Sequence, residues 1–101
     1  MSAYAFVDLN IYDIEDYLEY QHALRPLLQK VGARYLARGG EFEVFEGQIQ
    51  PERIILMEFP SMEVLRDFYR SDEYQSLEQK RKDCSEACII GVRGLPESTH
   101  H

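Results

Sequence analysis

The stretch "GARYLARGGEFEVFEG", residues 32–47, decides how the middle of this chain folds. Two apolar-rich runs flank Arg38-Gly39-Gly40, and both read as strand. The glycine pair fits a tight hairpin turn. It also fits a bulge or bend inside one long strand, which would re-aim neighbouring side chains. We favour the bend, because "EGQIQPER" (46–53) has the polar, Gly/Pro-containing look of a hairpin loop and "RIILMEF" (53–59) follows as the next strand. In that register Glu46 opposes Arg53, Val44 faces Ile55 and Phe42 faces Met57, with a salt bridge at the loop and apolar pairs along one face. The opposite face would carry Glu43, Phe45, Ile54, Leu56 and Glu58.

Upstream, "AYAFVDL" (3–9) alternates, with Ala3, Ala5, Val7 and Leu9 on one face and Tyr4, Phe6 and Asp8 on the other. That is the period of a strand whose small aliphatic face packs under helices. Asp13 caps the following helix, and Ile14, Tyr17, Leu24, Leu28 and Val31 recur at helical spacing. Pro26 removes a backbone donor and crowds the His22 carbonyl, so a kink or break is expected near residues 22–26, and Gly32 ends the helix. Downstream, Ser61 and Ser71 are cap signals for helical segments over about residues 62–70 and 72–83. "ACIIGVRGL" (87–95) reads as the last strand, closing a single domain over residues 1–95 with a disordered tail at 96–101.

The order β-α-β-β-α-β implies an α+β fold, a four-stranded antiparallel sheet with its helices on one face. The other sheet face, with Tyr4, Phe6, Phe45, Ile54 and Leu56, is too apolar to stay wet. A second copy packed face to face would cover it and give a twofold homodimer.

Composition narrows the function. At 101 residues and 45% apolar content the chain is one ordinary globular domain. A net charge of −7 argues against nucleic acid, which demands a basic face. The run Lys80-Arg81-Lys82 falls where a helix should end, so it reads either as a response to the helix dipole or as a phosphate contact. Cys84 and Cys88 lack partners at zinc spacing; a disulfide or two reduced thiols fits, and reduced cytoplasmic thiols are the default. The first ten residues do not read as a signal peptide, no run is long enough to span a membrane, and no metal site or cofactor is expected.

The linked runs "RYLARGG", "EGQIQPERIILMEFPS" and "FYRSDEYQ" resemble a bacterial family catalogued as domain of unknown function 1330. The resemblance runs from Tyr4 to about Gly94 and implies a ferredoxin-like chain of the dimeric α+β barrel superfamily. The family's motif falls on Tyr20, Pro26, Arg38, Gly39, Gly40, Gly47, Pro51, Arg53, Glu58, Phe59, Pro60, Ser61, Tyr69, Ser71, Tyr74 and Arg81, while Ala33 stands where a glycine is common. Related barrels include cofactor-free monooxygenases, lactone isomerases and haem-handling enzymes, so the resemblance supplies no reaction.

Glu58 is the first candidate for proton transfer, since burial on the helix-free face would raise its pKa; alternatively it pairs with an arginine. Arg38, beside Gly39 and Gly40, would clamp a carboxylate or phosphate, or be that arginine. Asp8 shares the facing of Tyr4 and Phe6 and could form an acid/base couple with Glu58. His22, the one histidine before the terminal pair, is a candidate base or a surface residue. Tyr20, Tyr69 and Tyr74 read as packing anchors. Nucleophile elbow, phosphate loop, Rossmann and zinc motifs are missing. These readings give a homodimer binding a small anionic or aromatic metabolite at residues Glu58, Asp8, His22, Arg38, Gly39, Gly40, Tyr4 and Phe6, with acid/base chemistry of the isomerase or cofactor-free monooxygenase type. The alternative is a non-catalytic dimeric module with structural salt bridges. An RNA-recognition role is disfavoured by the charge.

Overall fold

The structure, a computed structural model, describes residues 1–96. The elements run β1 (Ala3–Ile11), α1 (Ile14–Lys30), β2 (Arg34–Gly39), β3 (Arg53–Phe59), α2 (Met62–Arg70), α3 (Asp72–Cys84) and β4 (Ser85–Arg93). They form one four-stranded antiparallel sheet with two helical segments before β4, as the sequence reading expected, and the strand order is β2-β3-β1-β4. The tail expected at 96–101 falls, apart from Pro96, outside the described residues.

The alternation of β1 settles which way the sheet faces. Ala3, Ala5, Val7 and Leu9 are buried, as are Ile55, Met57 and Phe59 on β3. Against them pack Tyr17, Tyr20, Leu24 and Leu28 of α1, Leu65 and Phe68 of α2, and Tyr74 and Cys84 of α3. The small side chains of Ala3 and Ala5 let the bulky aromatic residues of the helices approach the sheet.

The caps are where the sequence puts them. Asp13 accepts the Asp16 amide at 3.2 Å, and Ser61 accepts that of Val64 at 3.1 Å. Ser71 serves two helices: its hydroxyl donates to the Phe68 carbonyl at 2.7 Å and accepts from the Tyr74 amide at 3.1 Å. One side chain thus ends α2, starts α3 and fixes the corner between them.

The break expected at Pro26 does not occur, and α1 runs through it. Pro26 and His22 are both exposed, so the carbonyl deprived of its partner faces water, while Leu24 and Leu28 hold the helix to the core. After Val31 the Gly32 amide donates to the Gln29 carbonyl and the Ala33 amide to that of Leu28, a paired closure with Gly32 at φ +79°. A Cβ on Gly32 would meet Pro60 at 3.2 Å. Gly32→Ala is therefore expected to cost about 1–2 kcal/mol in urea unfolding with no change in oligomeric state.

The long bent strand is corrected. Strand β2 stops at Gly39, and residues 40–52 form an irregular excursion. The observed register pairs Gly39 with Ile54, Arg38 with Ile55, Ala37 with Leu56, Tyr35 with Met57 and Arg34 with Glu58. The expected pairs Glu46–Arg53, Val44–Ile55 and Phe42–Met57 therefore do not form. Residues 54–58 of β3 are taken by residues 34–39, so the "EFEVFEG" run has no edge left to join. A bulge does exist, at Leu36, upstream of the glycines. Strand β4 likewise begins at Ser85, two residues before the expected start, because Cys84 passes straight from helix into strand.

Candidate functional site

The face of α3 turned inward carries Tyr74, Arg81 and Cys84, a helical row at spacings of seven and three. Arg81 is the unusual member. It is a guanidinium with 9% of its surface exposed. Its Nε donates to the Tyr74 hydroxyl at 3.2 Å, and that hydroxyl shares a 3.1 Å hydrogen bond with the buried Tyr20 hydroxyl. No carboxylate pairs with Arg81 among the described residues. No described buried side-chain nitrogen or oxygen lacks a partner, so the guanidinium nitrogens that Tyr74 leaves free must be those that meet open space.

Arg81 lines two such spaces, and the larger is a cleft of about 390 Å³ between α2, α3 and β4. Met62, Leu65, Tyr69, Tyr74 and Ile89 give it apolar and aromatic walls, Arg66, Gln75 and Glu78 a polar rim, and Arg81 its inner charge. Its size and its apolar walls with a few convergent polar groups are those of a small-molecule pocket. Gly91 lies in the wall, and a Cβ there would meet the tip of the Leu65 side chain at 2.9 Å, so a larger residue would push Leu65 aside. Behind Arg81 a void of about 20 Å³ reaches Tyr17, Tyr20 and Tyr35.

Tyr17, Tyr20 and Tyr69 hold their protons more tightly than a free phenol. Burial pushes Tyr17 up to about 12, only partly opposed by Arg81. Burial, then Tyr74, raises Tyr20 far above the ordinary phenol range, and burial also raises Tyr69. Glu78 goes the other way, because its hydrogen bond from Lys82 lowers its pKa and keeps it a carboxylate. The sign for stability follows from Tyr17. Its phenol ionises near 10 when unfolded and near 12 when folded, so the stability it supplies is whole below pH 10 and is lost as pH rises through 12. Urea unfolding should lose roughly 2–3 kcal/mol from this group across that interval, with tyrosinate absorbance rising in step with loss of helix signal.

The residues singled out from sequence divide between two faces. Tyr4, Phe6, Asp8 and Glu58 lie on the helix-free side. Glu58 accepts the Arg34 Nε at 2.7 Å, and this bond, ahead of others from Ser2 and Tyr4, lowers its pKa. The expected upward shift is thus corrected, and the partner is Arg34, not Arg38. The Leu36 bulge turns Arg38 to the helix side, where its guanidinium lies 4.7 Å from the centre of the Tyr35 ring. There Arg38 and Gly39 line one hollow, and Arg38 and His22 the next. Gly40 begins the irregular excursion. The structure therefore does not bring Glu58 and Asp8 together with Arg38 and His22 inside one protomer. Arg81 entered the sequence reading only as a motif position and as part of the Lys80-Arg81-Lys82 run, and its burial was not read. The signal was its seven-residue spacing from Tyr74, which puts it on a buried face.

With this geometry the comparisons with known proteins can be read. A family model described as "Domain of unknown function (DUF1330)" matches residues 2–95. The chain belongs to the DUF1330 family. No curated protein matches it. Among solved structures, this DUF1330 chain is similar to RPA0582, a protein of unknown function from Rhodopseudomonas palustris, with a TM-score of 0.77 and 14% identity over 94% of this chain and 83% of that one. A dimeric ferredoxin-like protein of unknown function from Jannaschia sp. CCS1 gives 0.70 and 11% over 93% and 100%. SnoaB, a cofactor-independent oxygenase from Streptomyces nogalater, gives 0.66 and 3% over 98% of each chain. At these identities the likeness shows a shared fold, the ferredoxin-like one.

Proposed function

We propose that the protein is a homodimeric α+β barrel that binds a small metabolite with an anionic group and an apolar or aromatic body in the cleft between α2, α3 and β4. The observation that carries this reading is Arg81, a nine-tenths buried cation with no carboxylate partner among the described residues, at the inner end of a cleft of about 390 Å³. Burying a guanidinium without a counter-charge costs several kcal/mol, and a ligand anion would supply that counter-charge with bidentate geometry. Tyr69, Leu65 and Ile89 would cover the body of the ligand.

Proton transfer has weak support in this cleft. Its one carboxylate, Glu78, is committed to Lys82, and Tyr69 keeps its proton. Turnover would therefore depend on a substrate bringing its own reactivity, with Arg81 stabilising developing negative charge, and cofactor-independent oxygenation on this scaffold in SnoaB is in keeping with that. Dimerisation is supported by the bare sheet face and by dimeric ferredoxin-like neighbours. The free thiols Cys84 and Cys88 suit the cytoplasm. A non-catalytic module is the second reading, favoured by the Arg34–Glu58 ion pair, which gives the main polar pair of the open face a structural role.

Thermal shift against a panel of small aryl and alkyl carboxylates and phosphates tests the binding. A saturable rise in melting temperature for one chemical class is expected. A panel in which neither anions nor aromatic compounds move the transition would overturn it.

A further inference from the structure

Two sets of charges in this protomer have no partner among the described residues. Arg25, Arg38 and Arg53 make no ion pair, and neither do Glu41, Glu43 and Glu46. The arginines border two adjoining hollows of about 160 and 300 Å³ that share Leu18, Gln21 and Arg38. Together these make a groove between α1 and the end of β2, basic along its rim and floored by Ile14 and Leu18, which are 47% and 53% exposed. It is a basic feature on a chain of net charge −7.

The glutamates belong to the 40–52 excursion, which has the complementary character. It contains no lysine or arginine, and Phe45 at its tip is 91% exposed. Val44 and Ile49 are also exposed. Its base is held, with Pro51 buried and the Glu52 amide donating to Asn10 Oδ1 at 3.0 Å. An anchored loop that presents an acidic, aromatic tip to water is shaped for a partner. Ten residues from 41 to 50 reach roughly 16 Å out from their base, close to the 17 Å thin dimension of the protomer.

We propose that residues 41–50 of one copy lie in the groove between α1 and β2 of a second copy, with Phe45 on Ile14 and Leu18 and the glutamates against Arg25, Arg38 and Arg53. The inference rests on the dimer reading above and extends it from the sheet face to an exchanged arm. Charge complementarity identifies the occupant, and the two charge sets do not meet within a protomer although Arg38 is only three residues from Glu41. The arrangement also gives Arg38-Gly39-Gly40 a purpose. The bulge aims Arg38 into the groove, and the glycines let the arm leave the sheet.

The test replaces Phe45 with the photocrosslinking residue p-benzoylphenylalanine in a mixture of isotopically light and heavy protein, followed by peptide mapping. Crosslinks between light and heavy copies onto α1 residues 14–25 are expected, and Phe45→Ala should weaken the dimer on the order of 30-fold in sedimentation. Crosslinks confined to one copy would mean that the arm closes on its own groove, and crosslinks onto the partner's sheet strands would place it elsewhere; either overturns the inference. A stable dimer with no such crosslink, unweakened by Phe45→Ala, overturns this inference alone. A monomeric native protein overturns the dimer reading with it.

Discussion

Arg81→Met is expected to raise the melting temperature of the ligand-free protein while removing its response to anionic ligands. The two effects come from one cause. In the free protein the guanidinium is 9% exposed, hydrogen-bonded to the Tyr74 hydroxyl and offset at longer range by Glu78, which Lys82 already pairs. Methionine fills nearly the same volume, needs no counter-charge and packs well against aromatic rings. The Tyr74 hydroxyl keeps its bond to Tyr20, so no polar group is orphaned. A gain of about 1–2 kcal/mol is expected, which for a domain of this size is roughly 4–8 °C per kcal/mol. Ligand affinity should fall at least 100-fold, because a charge-assisted bidentate contact is lost in a low-dielectric site. If Arg81 is purely structural the signs reverse. Removing it would then cost 3 kcal/mol or more, by the rule of thumb for broken buried ionic networks. Thermal unfolding of the variant with and without the best carboxylate of the panel separates the two outcomes, and a destabilised variant that still responds to that ligand would remove Arg81 from the site.

The fold was legible wherever local chemistry decides structure. The alternation of residues 3–9, the caps at Asp13, Ser61 and Ser71 and the stop at Gly32 all act within a few residues, and each is found as read. Where the outcome depends on a distant partner, sequence pattern misled. The run 41–46 alternates well enough for a strand, but a strand needs an edge, and β3 had already given its length to residues 34–39. Pro26 looked disruptive because the loss of one hydrogen bond is a local fact, whereas the solvent exposure of His22 and the anchoring of Leu24 and Leu28 are tertiary ones. The site shows the same division. Facing along β1 and β3 could be read, so Asp8 and Glu58 were correctly put on one side. Arg38 was not, since a one-residue bulge at Leu36 reverses everything after it. Arg81 hid inside a run of three basic residues, of which Lys80 and Lys82 do behave as surface charges, paired with Glu19 and Glu78.

Phe6→Asp should convert a native dimer into a folded monomer. Phe6 is central on the helix-free face, paired with Leu56 of β3 and Ile90 of β4. Around it lie Tyr4, Ile54 and Val92, with Ile90 49% and Val92 52% exposed in the single protomer. In a face-to-face dimer the residue counts twice, once from each copy. Each replacement forfeits the burial of an aromatic side chain, about 2 kcal/mol, and adds a carboxylate that must shed its water beside Asp8 with no free cation near it. Arg34, a strand cation on this face, is already engaged by Glu58. Together these amount to at least a thousandfold in dissociation constant, enough to leave monomers at micromolar concentration. The fold itself should survive, since the core lies on the other side of the sheet and Phe6 has no buried partner there. Sedimentation with parallel circular dichroism reads both properties. A native protein already monomeric at that concentration, or a Phe6→Asp variant that remains dimeric, would mean that this face is not where two copies meet, and the second sheet would have to be sought elsewhere or given up.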